Sequence, residues 1–272
     1  MTGSPTSSNG YHNNDNVFWR GVDFSGVTLV LGVGTGRLID LLRQQVQQSG
    51  GLLLAVSFRM QELERLAAYW GAELGPAALM RARPRQIPLR DETVDLLVAN
   101  GVLREVPPEH LETMFDELWR VLVPGGRIRV SDIIEPSEAP YDRAWAERNR
   151  IVRKLGWALN RPTALAVDVR QAALAIRSAG FERLGVSLLP GYDLTDAWLQ
   201  DTVNSLRTMS ARLVDRALRD EILNEDVPRL IAAYRQGGQK AAERFVLHGA
   251  KSGDLALDME ASFTEEDLVE PE

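Results

Sequence analysis

Between residues 27 and 132, short apolar runs alternate with segments whose hydrophobic positions recur every three or four residues. Val27–Leu31 and Leu52–Val56 are unbroken runs rich in β-formers, the pattern of strands buried on both faces. After the first run, Leu38, Ile39, Leu41 and Leu42 fall at helical spacing. Continued along the chain, this reading predicts strands near 27–31, 52–56, 77–81, 94–99 and 126–132, with helices near 36–48, 59–71 and 109–122. Such alternation implies an α/β fold with a parallel, doubly wound sheet. Further on, Tyr141–Leu159 and Ala164–Ser178 read as helices, 183–189 as a strand and 244–249 as a last strand. The stretch between these strands, about 193–242, reads as a helical insertion. Its first helix, N-capped by Thr195, carries Leu199, Val203, Leu206, Leu213 and Ala217 on one face. A second helix starts near Pro228 and stops at Gly237-Gly238. An apolar stripe of this kind is expected to pack as core, and a homodimer interface is the next expectation.

The first strand breaks into Gly32-Val33-Gly34-Thr35-Gly36 before its helix begins. Glycines let backbone approach a ligand closely, and the free N–H groups of a helix start present positive potential. In doubly wound sheets, ligands bind at the carboxyl ends of the strands, beside the switch in strand order. Gly32–Gly36, Ser57, Arg83 and Asn100 all fall at predicted strand ends, which places them around one pocket.

Two later segments carry a family signature: Val94-Asp95-Leu96-Leu97-Val98-Ala99-Asn100-Gly101-Val102-Leu103, and Arg120-Val121-Leu122-Val123-Pro124-Gly125-Gly126-Arg127. With the glycine turn, they closely resemble the class I S-adenosylmethionine-dependent methyltransferases, in their small-molecule branch, over roughly residues 27–190 and again near 243–251. The resemblance implies a mostly parallel seven-stranded sheet with the helical insertion before its last strand. It also implies cofactor contacts from Gly32, Gly34, Thr35, Gly36, Ser57, Phe58, Arg83, Pro84, Asn100 and Gly101. At three positions the chain departs from the family. Val30 stands where an acid usually precedes the glycines. Ser57 stands where an acid takes both ribose hydroxyls, and Arg83 where an Asp takes the adenine amino group. Two readings follow: a methyltransferase for a small molecule with a degraded S-adenosylmethionine pocket, or an inactive methyltransferase fold serving as a binding or scaffold subunit with a protein partner.

The side chains around the pocket add further expectations. Arg37, Arg59, Arg83 and Arg104 each follow a strand end, so the rim reads as basic and suited to an anion. The histidines usual after the fourth strand in this branch are replaced by Arg104-Glu105. These two are expected to be exposed charges, with an anion contact and a base as the alternative roles. His110 is expected at the surface, His248 in a structural role, and His12 in the N-terminal arm. No pair of histidines has metal-ligand spacing, so no metal is expected and no catalytic residue is assigned.

Composition narrows the setting. The 272 residues contain no cysteine, which excludes disulfides and argues against arsenite methyltransferase chemistry, although the core partly resembles theirs. No apolar run reaches the ~18–20 residues of a membrane helix, and the N-terminus lacks a signal-peptide layout. A cytoplasmic protein is expected. Eight acids and no base follow Lys251, so the formal charge of −7 becomes +1 over residues 1–251. Nucleic acid is therefore not an expected partner. Residues 1–16 read as a flexible arm with Tyr11, His12, Phe18 and Trp19 at or just past its end, 17–251 as the methyltransferase-like domain, and 252–272 as an acidic disordered tail.

Overall fold

The computed structural model describes residues 22–33, 37–71, 74–136, 139–161 and 164–253. The two chain ends, Gly34, Thr35 and Gly36 lie outside the described residues, as do the arm and all but the first two residues of the tail expected above.

Among the described residues seven strands form one sheet: β1 (Val27–Leu31), β2 (Leu52–Ser57), β3 (Ala77–Arg81), β4 (Val94–Asn100), β5 (Leu122–Ile133), β6 (Glu182–Leu189) and β7 (Arg244–Ala250). Their order is β3-β2-β1-β4-β5-β7-β6, and only β7 runs antiparallel to its neighbours. The order reverses between β1 and β4, so the carboxyl ends of those strands flank the switch point.

Successive residues of β1 point to opposite faces, and each face has its own core. Leu29 and Leu31 pack with Leu97, Ile128 and the helices α3 (Leu111–Val121) and α5 (Val169–Ser178). Val30 packs on the other face with Leu53, Val98 and the helices α1 (Arg37–Ser49) and α2 (Met60–Trp70). The continuous apolar runs are explained by this double covering.

A third core is built mainly from helices. It joins α4 (Arg143–Ala158), α6 (Asp196–Ser210), α7 (Arg216–Glu221) and α8 (Val227–Arg235) around Trp145, Leu206, Ile222 and Leu230. Ile133 and Tyr192 pack against it, and Ala242 belongs to it. These residues lie beside the end of β5, the end of β6 and the start of β7, so the bundle sits at the carboxyl end of the parallel sheet.

Three expected boundaries shift for identifiable reasons. β5 begins at Leu122 rather than 126, despite Pro124-Gly125-Gly126. The chain beyond β7 holds it extended: Gly125 N donates to Lys251 O at 3.0 Å and Lys251 N to Gly126 O at 2.9 Å. The helix expected from Ala164 begins at Val169, because Asp168 caps it, accepting from Arg170 N at 2.9 Å. Val167 N is meanwhile bonded to Ile133 O.

Thr195 caps α6, accepting from Trp198 N at 3.2 Å, but that helix ends at Ser210. Leu213 lies in the following turn. Ala217 belongs to α7, which Asp215 caps anew by accepting from Leu218 N. From α7 the helical path continues through a π-helical stretch, Ile222–Asp226, into α8. The expected stripe is thus divided between two helices, and Val203, Leu206 and Leu213 are buried in the chain's own helical core.

Candidate functional site

A cleft of about 280 Å³ opens at the carboxyl ends of β1, β2, β4 and β5. Of the residues expected from the sequence, Gly32, Ser57, Phe58, Pro84, Asn100 and Gly101 line it. Arg83 stands exposed on a turn bridged to Gln86 and is not among the described lining residues. Arg37 is described only in its backbone. The arm residues Tyr11, His12, Phe18 and Trp19 lie outside the described residues.

Gly32 sets the floor. Its φ is +87°, and a Cβ there would lie 2.3 Å from Asn100 O and 2.8 Å from Val102 Cγ2. Only glycine lets the end of β1 press this closely on the end of β4. Asn100 is oriented in turn, because Ser131 Oγ donates to its Oδ1 at 2.8 Å.

The wall beside β2 carries a carboxylate that the sequence motif did not announce. Ser57 Oγ donates to Glu62 Oε2 at 2.8 Å and accepts from Arg59 N at 3.0 Å. Glu62 sits in the first turn of α2 and lines the cleft. Helical side chains lean toward their own N-terminus, so an acid in this turn is carried back to the strand end. The spacing from Ser57 to Glu62 was the available signal.

Arg59 pairs with Glu62 at 3.1 Å and with Glu105 at 2.8 Å. Arg104 pairs through Nε with Asp132, whose side chain is wholly buried at the end of β5. Asp132 also accepts from Arg104 N at 3.2 Å and Ile133 N at 2.8 Å. Burial pushes the carboxyls of Glu105 and Asp132 above the usual range, against the pull of Arg59 on the first and Arg104 on the second. Two of the four rim arginines are therefore already compensated, contrary to the basic rim expected from the sequence. Arg104 and Glu105 line the cleft instead of standing free in solvent.

Arg244, the first residue of β7, completes the lining from far along the chain. His248 lies half-buried on the same strand, where burial holds its imidazole below its ordinary pKa. His110 closes a 3-10 turn and does not line the cleft. Among the described residues, no cluster of three or more His, Cys, Asp or Glu side chains is placed to hold a metal. No helix among them is long and apolar enough to cross a membrane.

Residues 29–130 match the family model described as "Methyltransferase domain". Over 56 residues the chain is 36% identical to an arsenite methyltransferase of Halobacterium salinarum, covering 21% of this chain and 14% of that protein. Over 130 residues it is 28% identical to a ubiquinone/menaquinone biosynthesis C-methyltransferase of Citrobacter koseri, covering 46% of this chain and 51% of that one. The chain thus spans about half the length of the quinone enzyme and less of the arsenite enzyme. Among solved structures, a putative methyltransferase from Bacillus halodurans superimposes with a TM-score of 0.54 at 14% identity. That match covers 83% of this chain and 92% of the other, and it speaks for the shared fold.

Proposed function

We propose that this protein, whose residues 29–130 match a methyltransferase domain, is a cytoplasmic class I enzyme that methylates a small molecule with S-adenosylmethionine, its cofactor carboxylate relocated from the end of β2 to Glu62. The observation that carries the reading is the 2.8 Å hydrogen bond from Ser57 Oγ to Glu62 Oε2. It sets an acid beside the position where the family's ribose acid would stand. The sequence alone favoured a degraded pocket at this point, and the placement of Glu62 favours a working one.

The residues present fit the cofactor. At Gly32 any side chain would collide with Asn100 and Val102, so glycine holds the floor of the cleft in place. Glu62 and Ser57 suit a diol, and Phe58 and Pro84 offer apolar walls. When bound, S-adenosylmethionine supplies an electrophilic methyl group, which an acceptor lone pair takes as the carbon–sulfur bond breaks. The chain's task is then positioning, which needs no dedicated catalytic side chain. The helical bundle lies at the same end of the sheet and gives an acceptor its roof, which supports a small molecule rather than a macromolecule.

Isothermal titration with S-adenosylhomocysteine tests this reading. Wild type is expected to bind it, and Glu62→Gln to bind at least ~10-fold more weakly. That loss corresponds to charge-assisted hydrogen bonds of about 1.5–3 kcal/mol each. No heat at millimolar ligand would leave the inactive binding or scaffold role in its place.

A further inference from the structure

Between the cleft and the helical bundle stands a second group of charges that the cofactor reading does not use. Arg244 lines the cleft, and its buried Nε has no hydrogen-bond partner. Arg148, on α4, lines a second cavity of about 300 Å³ together with Trp198, Thr202, Ser205 and Met209. Its guanidinium lies 5.2 Å from the Trp145 ring centre and donates to Asn149 Oδ1 at 2.8 Å. Neither arginine has a carboxylate within ion-pair distance among the described residues. Asp201 borders the same cavity without pairing to Arg148.

The two arginines share a neighbourhood. Tyr192 connects them: its ring meets Trp145 edge-on at 6.0 Å, the same ring that Arg148 overlies, and it follows β6, whose last residue Leu189 pairs with Arg244. Burial, and then the like charge of Arg104, disfavour the charged form of Arg148. Asp132 answers Arg104, but nothing described answers the other two. A desolvated guanidinium without a counter-ion is costly to hold, and an arriving anion would relieve it. Arginine also presents the planar donor fork that matches carboxylate and phosphate oxygens.

We propose that the methyl acceptor is a small oxyanion, a carboxylate or phosphate monoester, whose charged group is taken by Arg148 and Arg244 beside Tyr192. Its body lies toward Trp198, which is stacked on Trp145 with ring centres 5.8 Å apart. This assignment rests on the methyltransferase reading, since it names the acceptor of that reaction.

The test uses full-length protein saturated with S-adenosylhomocysteine, titrated with benzoate, phenyl phosphate and the uncharged isostere benzamide. At least one anion is expected to bind at least tenfold more tightly than benzamide, and more weakly as salt rises. Whichever anion binds more tightly identifies the charged group. Arg148→Gln and Arg244→Gln should each lose tenfold or more. Arg148→Lys and Arg244→Lys should recover part of it, and serve as the comparison if a Gln variant does not fold. Arg148→Gln should leave S-adenosylhomocysteine binding unchanged. Equal binding of benzamide, unaffected Gln variants, or no binding of either anion overturns the assignment. If S-adenosylhomocysteine itself fails to bind, the enzyme reading falls instead. The same titrations without it then show whether the arginine pair takes an anion on its own.

Discussion

Asp132 is the residue on which the cleft's charge balance turns. Its buried carboxylate accepts from Arg104 Nε, Arg104 N and Ile133 N, so it both neutralises Arg104 and anchors the segment after β4. Asp132→Ala should cost about 3 kcal/mol in urea denaturation, because it leaves a partly buried guanidinium unpaired. It should also tighten binding of the anionic probes by adding one more uncompensated cation. Since burial raises its pKa, the folded state holds this proton more tightly than the unfolded chain. The contribution of Asp132 is therefore greatest at low pH and falls as pH rises from the unfolded value through the raised folded one. At this scale the sequence revealed residues set by local spacing. Gly32, Ser57 and Asn100 sit at strand ends in a motif that can be counted. Arg244 and Arg148 could not be found that way, because long-range packing of β7 and α4 brings them to the site. The relocated acid at Glu62 lay between these cases, visible only once α2 is known to begin at Met60.

At the scale of elements, the β-strands were legible because burial on both faces leaves runs of Val, Leu and Ala that few other structures need. The break in the insertion was less so, since a helical stripe continues in sequence across the turn at 211–215. What fixes the geometry there is polar and buried. Asp226, at the end of the π-helical stretch, accepts from Arg150 at 2.8 Å and Lys154 at 2.7 Å, tying α8 to α4. Burial alone would raise this carboxyl, but hydrogen bonds from Lys154 and Arg150 outweigh it and hold the pKa below the ordinary value. Its stabilisation is present above the unfolded pKa and is lost as pH falls through the depressed folded one. Asp226→Asn should therefore cost about 3 kcal/mol at pH 7 by chemical denaturation. The gap between wild type and variant should close as the buffer is taken below pH ~4. A gap independent of pH would mean that packing, not charge, joins these helices. Asp132 and Asp226 should thus show opposite pH slopes, although both are buried and paired.

For the whole molecule, the insertion is a closed excursion whose ends are pinned to each other before the chain re-enters the sheet. Ala241 N donates to Tyr192 O at 2.9 Å and Leu194 N to Gln239 O at 2.7 Å, and Asp193 bridges Lys240. The helical bundle can therefore form as a roof without disturbing the order of the sheet below. Its apolar residues turn inward to Trp145 and Leu230, so the stripe packs as core, the first of the two roles expected for it. The closure depends on Gly191, where a Cβ would lie 1.9 Å from Ala241 O and 2.7 Å from its carbonyl carbon. Backbone cannot yield there as a flexible side chain would. Gly191→Ala should destabilise the protein by at least about 3 kcal/mol, beyond an ordinary overpacked core site. Because Tyr192 is the next residue, the same change should displace the wall beside Arg148 and Arg244. Anion-probe affinity should then fall further than affinity for S-adenosylhomocysteine, whose cleft residues Gly32, Ser57 and Glu62 lie on other elements. Urea denaturation and the paired titrations on one protein preparation measure both effects. Equal losses for the two ligands would show that roof and cleft respond as a single unit.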